Sequence, residues 1–185
     1  MTDPGVIDAV VARAGLEGWN DATLRAALHD RGEDPVLLDS HFPRGVPGAI
    51  ADWIALTDQR VEAAVAGEDL LAQRTPARIR RLIELRLQLI EPDFEALRGA
   101  FAVMALPWNV PLALRSTART ASAIWHAAGD TSADFSWYTR RVTLAAVYSA
   151  TLAYWLSPRL PTMDEVLAFL DRRLADIAPR RRATS

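Results

Sequence analysis

The sequence contains no cysteine, which excludes disulfides, thiolate metal sites and cysteine nucleophiles together. Its three histidines, His29, His41 and His126, are too widely spaced to form a metal-binding motif. Lysine is also absent, so all 21 basic residues are arginine. We interpret this bias as the mark of a GC-rich genome, and it assigns no function to any single arginine.

Long apolar runs and targeting signals are missing as well. Arg or Pro interrupts every apolar stretch before the roughly 20 residues that a membrane-spanning helix needs. The first residues include acids and lack the basic-then-apolar pattern of a secretory or organelle signal. We therefore expect a cytoplasmic protein.

The sequence has none of the common catalytic motifs. There is no nucleophile elbow, phosphate-binding loop or HExxH, and no pair of carboxylates at the spacing of a helical-bundle metal site. We expect a protein that is not an enzyme and uses no cofactor or metal.

Helical periodicity is present throughout, with prolines between the periodic segments. About nine helices in a three-plus-six arrangement predict an all-α fold. The first three are short and have the proportions of a helix-turn-helix unit. The predicted boundaries are 1–45 for this three-helix part, 46–178 for a larger helical domain, and 179–185 for a polar tail.

Several helix starts carry capping signals. Thr75 precedes Pro76, as an N-cap precedes proline at the first helical position, and Asn109 is placed to cap the next helix but one. Thr131 with Asp134, and Thr162 with Glu165, have the spacing of a capping box. In the helix after Asn109, Ala118 and Ala121 interrupt a stripe of larger residues, which leaves space for a close neighbour or a ligand.

The N-terminal stretch "VIDAVVARAGLEGWNDATLRAALHDRGEDPVLLDSHFP" resembles the first half of TetR-type regulators. It has their Gly-aromatic turn, their Thr-containing second helix and an ending "HFP". Charge argues against DNA binding, because residues 1–66 hold eleven acids and five arginines, a balance of −6. We expect no nucleic-acid partner, and keep a TetR-like regulator that senses a hydrophobic ligand as the alternative.

A second resemblance rests on more specific motifs. They are "LPWNVP", the run "GDTSADFSWYTRR" followed by "LAAVY", and "FLDRR" in the last helix. With "FPRGVPGAIADW" they resemble the accessory lipid-binding proteins of ubiquinone biosynthesis, counted ninth among the Coq proteins. That family has a TetR-like helical fold, so both resemblances imply one scaffold.

The resemblance implies a protein without catalytic activity that holds isoprenoid quinone precursors, or phospholipid, in a pocket of the larger domain. It also implies delivery to ring-modifying enzymes, notably a di-iron hydroxylase. The residues that we expect to line the pocket are Ile83, Leu87, Phe101, Met104, Leu114, Trp125, Leu144 and Tyr148. Plain core packing is the alternative for any one of them.

In "GDTSADFSWYTRR", consecutive Trp137 and Tyr138 point about 100° apart on a helix, so they cannot both occupy the centre of one packed stripe. In the family this pair belongs to a surface that docks the hydroxylase. We expect partner binding at Asp134, Trp137, Tyr138 and Arg141. Capping and core packing are the structural alternative.

Mitochondrial members of the family carry a transit peptide and a further amphipathic helix after "FLxRR", which this sequence does not show. We therefore expect membrane contact to be peripheral, at the inner face of the plasma membrane, through the pocket mouth or Arg180–Arg182. The apolar stripes ending at Trp155 and Ile177 suit the four-helix interface by which TetR-like proteins dimerise, so we expect a homodimer.

Overall fold

The computed structural model describes residues 2–130 and 135–177, and in these ranges the regular structure is helical. The α-helices are α1 (Pro4–Glu17), α2 (Asp21–Asp30), α3 (Leu38–His41), α4 (Gly45–Val65), α5 (Thr75–Ile90), α6 (Phe94–Met104), α7 (Val110–Ala127), α8 (Phe135–Trp155) and α9 (Met163–Ile177). Single 3₁₀ turns precede α3, α5 and α6. The expected all-α architecture is confirmed.

The helices pack around one continuous core. Helix α1 lies against α2, α4 and α6, while α4 also contacts α5 and α7. Helix α8 packs between α7 and α9, and α9 returns to α5. Buried residues from α1 through α9 join a single apolar cluster. The boundary at residue 45 stays a prediction, because the three N-terminal helices share this core with the rest.

The turn after α1 anchors the N-terminal helices to α6. Trp19 donates from Nε1 to the carbonyl of Ala96 at 2.8 Å, and its ring lies 5.9 Å from that of Trp53. A Cβ at Gly99 would lie 2.9 Å from Trp19 Cδ1, which is closer than carbon atoms normally approach. Glycine at this position therefore lets the indole reach α6.

The capping predictions have different outcomes. Thr162 and Glu165 form the expected box at α9, with Glu165 Oε2 accepting from Thr162 N at 2.8 Å. Thr75 is wrong as an N-cap: Arg74 holds the cap position and α5 starts at Thr75 without a capping side chain. Asn109 holds the cap position of α7, but its side chain makes no capping hydrogen bond. The box at Thr131 and Asp134 lies outside the described residues.

The apolar stripes of α8 and α9, which we expected to form a dimer interface, pack largely against other helices of the same chain. Trp155 is buried, with its ring 5.3 Å from Phe94. On α9, Val166, Leu167 and Leu170 are buried, while Ile177 is exposed. Apart from Ile177, these stripe residues of α8 and α9 therefore complete the core of one chain, because α9 packs against both α5 and α8.

Candidate functional site

A cavity of about 310 Å³ lies between α4, α5, α6, α7 and α8. This volume is at the lower end of the range for small-molecule sites. Its wall is mostly aliphatic and aromatic. The lining residues are Ile50, Trp53, Ile54, Thr57, Arg86, Ile90, Leu97, Ala100, Phe101, Met104, Ala105, Val110, Ala113, Leu114, Thr117, Thr120, Tyr148, Ser149 and Leu152.

The cavity opens to the surface between α6 and α7. Phe101 and Leu114 belong to its lining, yet 45% and 66% of their surface is exposed. In the connection between these two helices, Trp108 is 74% exposed and Leu106 is also exposed. The opening thus exposes Phe101 and Leu114, and the adjoining connection exposes further large apolar side chains.

The motif "LPWNVP" forms the turn between α6 and α7, and its Val110 lines the cavity. Asn109 is buried and donates from Nδ2 to the carbonyl of Val103 at 2.9 Å, which closes the turn between α6 and α7. Pro111 occupies the first turn of α7, where a missing backbone N–H costs little. With Asn109 directed inward, the neighbouring Trp108 is left on the surface.

One polar cluster interrupts the apolar wall. Arg86 of α5 is fully buried and donates from Nε to the Tyr148 hydroxyl at 2.8 Å. Its Nη1 lies 2.8 Å from Oδ1 of Asp58, and Thr120 donates to Oδ2 of the same carboxylate at 3.0 Å. The cluster therefore connects α4, α5, α7 and α8 at the inner side of the cavity.

Burial dominates the ionisation of this cluster. It raises the pKa of Asp58, although Arg86 and the Thr120 hydroxyl act in the opposite direction. It likewise raises the pKa of Tyr148 against the influence of Arg86. Burial works to lower the pKa of Arg86, but Tyr148 and Asp58 outweigh it and the pKa is raised. At neutral pH the cavity therefore faces a charged guanidinium and a neutral phenol.

The structure brings half of the expected pocket residues to the cavity. Phe101, Met104, Leu114 and Tyr148 line it. Ile83, Leu87, Trp125 and Leu144 are buried away from the cavity wall and pack in the core. The difference arises because α5 is buried over a broad face, and Arg86 and Ile90 are the residues of that face at the cavity.

The expected docking residues are not a single surface cluster among the described side chains. Tyr138 is exposed, and Val142 one turn later on α8 is exposed beside it. Arg141 is buried, with Nη1 3.3 Å from Oδ2 of Asp130, so it holds the α7–α8 corner together. Asp134 and the side chain of Trp137 lie outside the described residues.

Sequence reasoning missed the cavity contributions of α4 and the polar cluster. Arg86 offered a usable signal, because it lies four residues from both Leu82 and Ile90 on the apolar stripe of α5. An arginine at that spacing must be buried with a partner. The partners Asp58 and Tyr148 are 28 residues before it and 62 after it, so no local pattern identifies them.

Neither a cluster of metal-ligating side chains nor a membrane-spanning helix occurs among residues 2–130 and 135–177. No group of three or more metal-ligating side chains comes together in these ranges. No helix there combines the length and apolar character that membrane crossing requires.

The chain is similar to proteins of one family. The COQ9 family model matches residues 110–179. "Ubiquinone biosynthesis protein COQ9, mitochondrial" from Homo sapiens is 35% identical over 178 residues, covering 92% of this chain and 56% of that protein. The protein of the same name from Bos taurus is 34% identical over 166 residues, covering 89% and 51%. The chain thus spans about half the length of these relatives.

A solved structure shares the fold. The TetR transcriptional regulator from Nitrosomonas europaea superposes with a TM-score of 0.73 at 18% sequence identity, covering 94% of this chain and 98% of that one. The expected TetR-like fold is confirmed by this superposition.

Proposed function

This chain is a relative of the COQ9 proteins, and on that premise we propose that it is a non-catalytic accessory protein of ubiquinone biosynthesis. It binds an isoprenoid quinone precursor and presents it to a ring-modifying enzyme such as the hydroxylase. The observation that carries the proposal is the apolar cavity with its open apolar mouth between α6 and α7.

The free energy of transferring a prenyl tail between membrane and cavity suits a lipid carrier. Moving a prenyl tail from a membrane into an apolar cavity exchanges one apolar medium for another, so the roughly 0.8 kcal/mol per buried CH₂ largely cancels. Release to an enzyme with its own apolar site then has a low cost for the same reason. A phospholipid chain can occupy such a cavity by the same balance.

The mouth is also the proposed site of membrane contact. Trp108 and Leu106 are exposed in the α6–α7 connection, and Leu114 is exposed on α7. A Trp ring is suited to a membrane surface, because it has a large apolar body and one polar N–H. We propose that the protein works in the cytoplasm and touches the inner face of the plasma membrane with this mouth.

Blocking the cavity tests lipid binding. Ala113 lines the cavity on α7, whereas Ala118, on the same helix, is exposed and outside the lining. We expect Ala113→Phe to purify without prenylated lipid and Ala118→Phe to retain it, as measured by mass spectrometry of organic extracts. Equal recovery of lipid from the two variants would contradict the proposal. So would the absence of lipid from both variants and from the native chain after incubation with a prenylated quinone.

For the hydroxylase we propose docking at the exposed start of α8, where Tyr138 and Val142 lie one turn apart. Exposed aromatic residues are enriched at interface hot spots. We expect Tyr138→Ala to weaken capture of the hydroxylase at least about tenfold, because hot-spot truncations cost roughly 2 kcal/mol or more. Leu16→Ala, which truncates an even more exposed apolar residue on α1, is the control. Equal capture by both variants would remove docking from this surface.

A regulator that senses a hydrophobic ligand is the second candidate, and the superposition on a TetR regulator is the observation in its favour. The ion pairs of residues 1–66 oppose it. Arg13, Arg60 and Arg44 pair with carboxylates of Asp30, Asp8 and Asp52. Cations already neutralised inside the protein are poor partners for phosphates, so we favour the carrier.

We keep the homodimer as a proposal that now needs an interface other than the buried stripes of α8 and α9. The outer surfaces of these helices remain available for it, and analytical ultracentrifugation measures the state directly.

A further inference from the structure

The buried and half-buried hydroxyl and guanidinium groups of the cavity wall differ in how they are used, while Ser149, which also lines the cavity, is exposed. Thr57 and Thr117 donate to carbonyls of their own helices, at Trp53 and Ala113. Thr120 donates to Asp58. These three hydroxyl hydrogens are therefore committed within the protein, and a ligand finds no donor in them.

Arg86 and Tyr148 are different. Nη1 of Arg86 is buried and carries two N–H groups, of which its 2.8 Å contact with Asp58 Oδ1 engages at most one, so at least one N–H has no acceptor among the described residues. The Tyr148 oxygen accepts from Arg86 Nε, which leaves the hydroxyl hydrogen of Tyr148 able to donate. Both side chains line the cavity. Buried donors without partners are rare in folded proteins and call for an explanation.

We propose that Arg86 and Tyr148 form a subsite for a neutral oxygen acceptor, a carbonyl or ether, at one end of an otherwise apolar ligand. This inference rests on the proposed function, because it assigns the orientation of the molecule bound in the same cavity. The polar end enters first and meets the two donors. The apolar remainder follows the wall toward Phe101 and Leu114 and leaves through the mouth.

Charge selects a neutral acceptor over an anion. Asp58 already supplies one negative charge 2.8 Å from the Arg86 guanidinium, and both groups are largely removed from water. An anionic ligand would add a second negative charge opposite a single cation, which a buried site accommodates poorly. A carbonyl oxygen accepts the same hydrogen bonds without that cost.

The test compares two probes on the full chain by isothermal titration calorimetry. One is a benzoquinone that carries a short prenyl chain, and the other is the hydrocarbon of the same chain without the ring oxygens. We expect the native protein to bind the quinone at least about tenfold more tightly, as hydrogen bonds from a charged donor allow. A benzoic acid with the same chain is expected to bind more weakly than the quinone.

Two variants locate the preference. Tyr148→Phe removes one donor and keeps the ring, and should reduce quinone affinity about 2- to 10-fold with hydrocarbon affinity unchanged. The double variant Arg86→Met with Asp58→Leu removes the ion pair without leaving one charge unpaired, and should abolish the preference. Tyr154→Phe, on the same helix and outside the cavity lining, is the control and should bind as the native protein does.

The outcomes separate this inference from the proposed function. Equal affinity for quinone and hydrocarbon, or a preference that survives both variants, overturns the subsite and leaves lipid binding in place. A tighter affinity for the benzoic acid overturns the choice of a neutral acceptor. Failure of the native chain to bind either neutral probe overturns lipid binding and the subsite together.

Discussion

At the scale of single residues, Arg86 is the most consequential side chain in this protein. Burying a guanidinium costs several kcal/mol, which only close partners can offset. Asp58 supplies the opposite charge, and Tyr148 accepts the Nε–H. The ion pair therefore fixes the relative positions of α4, α5 and α8 around the cavity, and its stability depends on keeping both charges.

We expect Arg86→Met to lower the free energy of unfolding by about 3–5 kcal/mol, because it leaves the Asp58 carboxylate buried without its cation. Arg98→Met should cost at most about 1 kcal/mol, since Arg98 pairs with Glu95 at the surface. Chemical denaturation measures both. Adding Asp58→Leu to Arg86→Met should recover most of the loss, and a double variant as unstable as the single one would show that the pair itself is required.

At the scale of the helices, the turns at the helix ends shape the cavity opening and close the core. The α6–α7 junction is closed by Asn109 and leaves Trp108 outside, so one short motif shapes the mouth. The corner between α7 and α8 begins with Gly129, whose φ of +82° favours glycine. Helix α9 starts with a reciprocal capping box and packs on α5 and α8, where it closes the core.

The box at α9 gives a prediction of its own. Thr162→Ala removes the side-chain oxygen that accepts from Glu165 N, and should lower the free energy of unfolding by about 1 kcal/mol. Thr143→Ala is the matched control within α8, where the hydroxyl bonds only to the carbonyl of Thr139 and alanine is the better helix former. It should leave stability unchanged or slightly higher. An equal loss in the two variants would argue that the cap contributes nothing.

At the scale of the whole molecule, a TetR-like fold combines an acidic N-terminal segment with an open cavity. The three N-terminal helices are joined to α4 and α6 through the common core, so they cannot move as an independent reading head without breaking it. Arg13 on α1 pairs with Glu17 and Asp30, and Arg60 on α4 pairs with Asp8 of α1. The same charges that hold these helices together make the surface unfavourable for a duplex.

Gel-shift measurements at low salt test this arrangement. We expect no retardation of duplex DNA up to protein concentrations of about 10 μM. The tighter non-specific DNA-binding proteins already bind duplex DNA at this concentration. Asp34→Arg with Asp39→Arg reverses two charges in the segment that corresponds to the recognition helix, and should introduce weak, salt-sensitive binding. A specific shift by the native chain would favour the regulator over the carrier.

The sequence by itself determined the helices and the class of fold, because each depends on local information. The 3.6-residue periodicity, the prolines and the box at Thr162 act within a few residues, and helix starts follow from them. Even local patterns can misplace a helix start: Thr75 was the expected N-cap of α5, but Arg74 holds that position. The motif "LPWNVP" was recognisable, and its position at the junction followed from its prolines.

Only the tertiary structure decided which apolar residues line a cavity and which fill the core. Ile83 and Phe101 are both apolar stripe residues, yet one is buried in the core and the other forms the mouth. Arg141 likewise turned from a surface candidate into the buried partner of Asp130. Whether a side chain lines the cavity or fills the core depends on the spacing of α6 and α7 from α4 and α8. It also depends on long-range contacts such as that between Arg86 and Tyr148, which are 62 residues apart in the sequence. Periodicity assigns a side chain to a face of its helix, but the neighbouring helices determine whether that face meets a protein surface, a ligand or water.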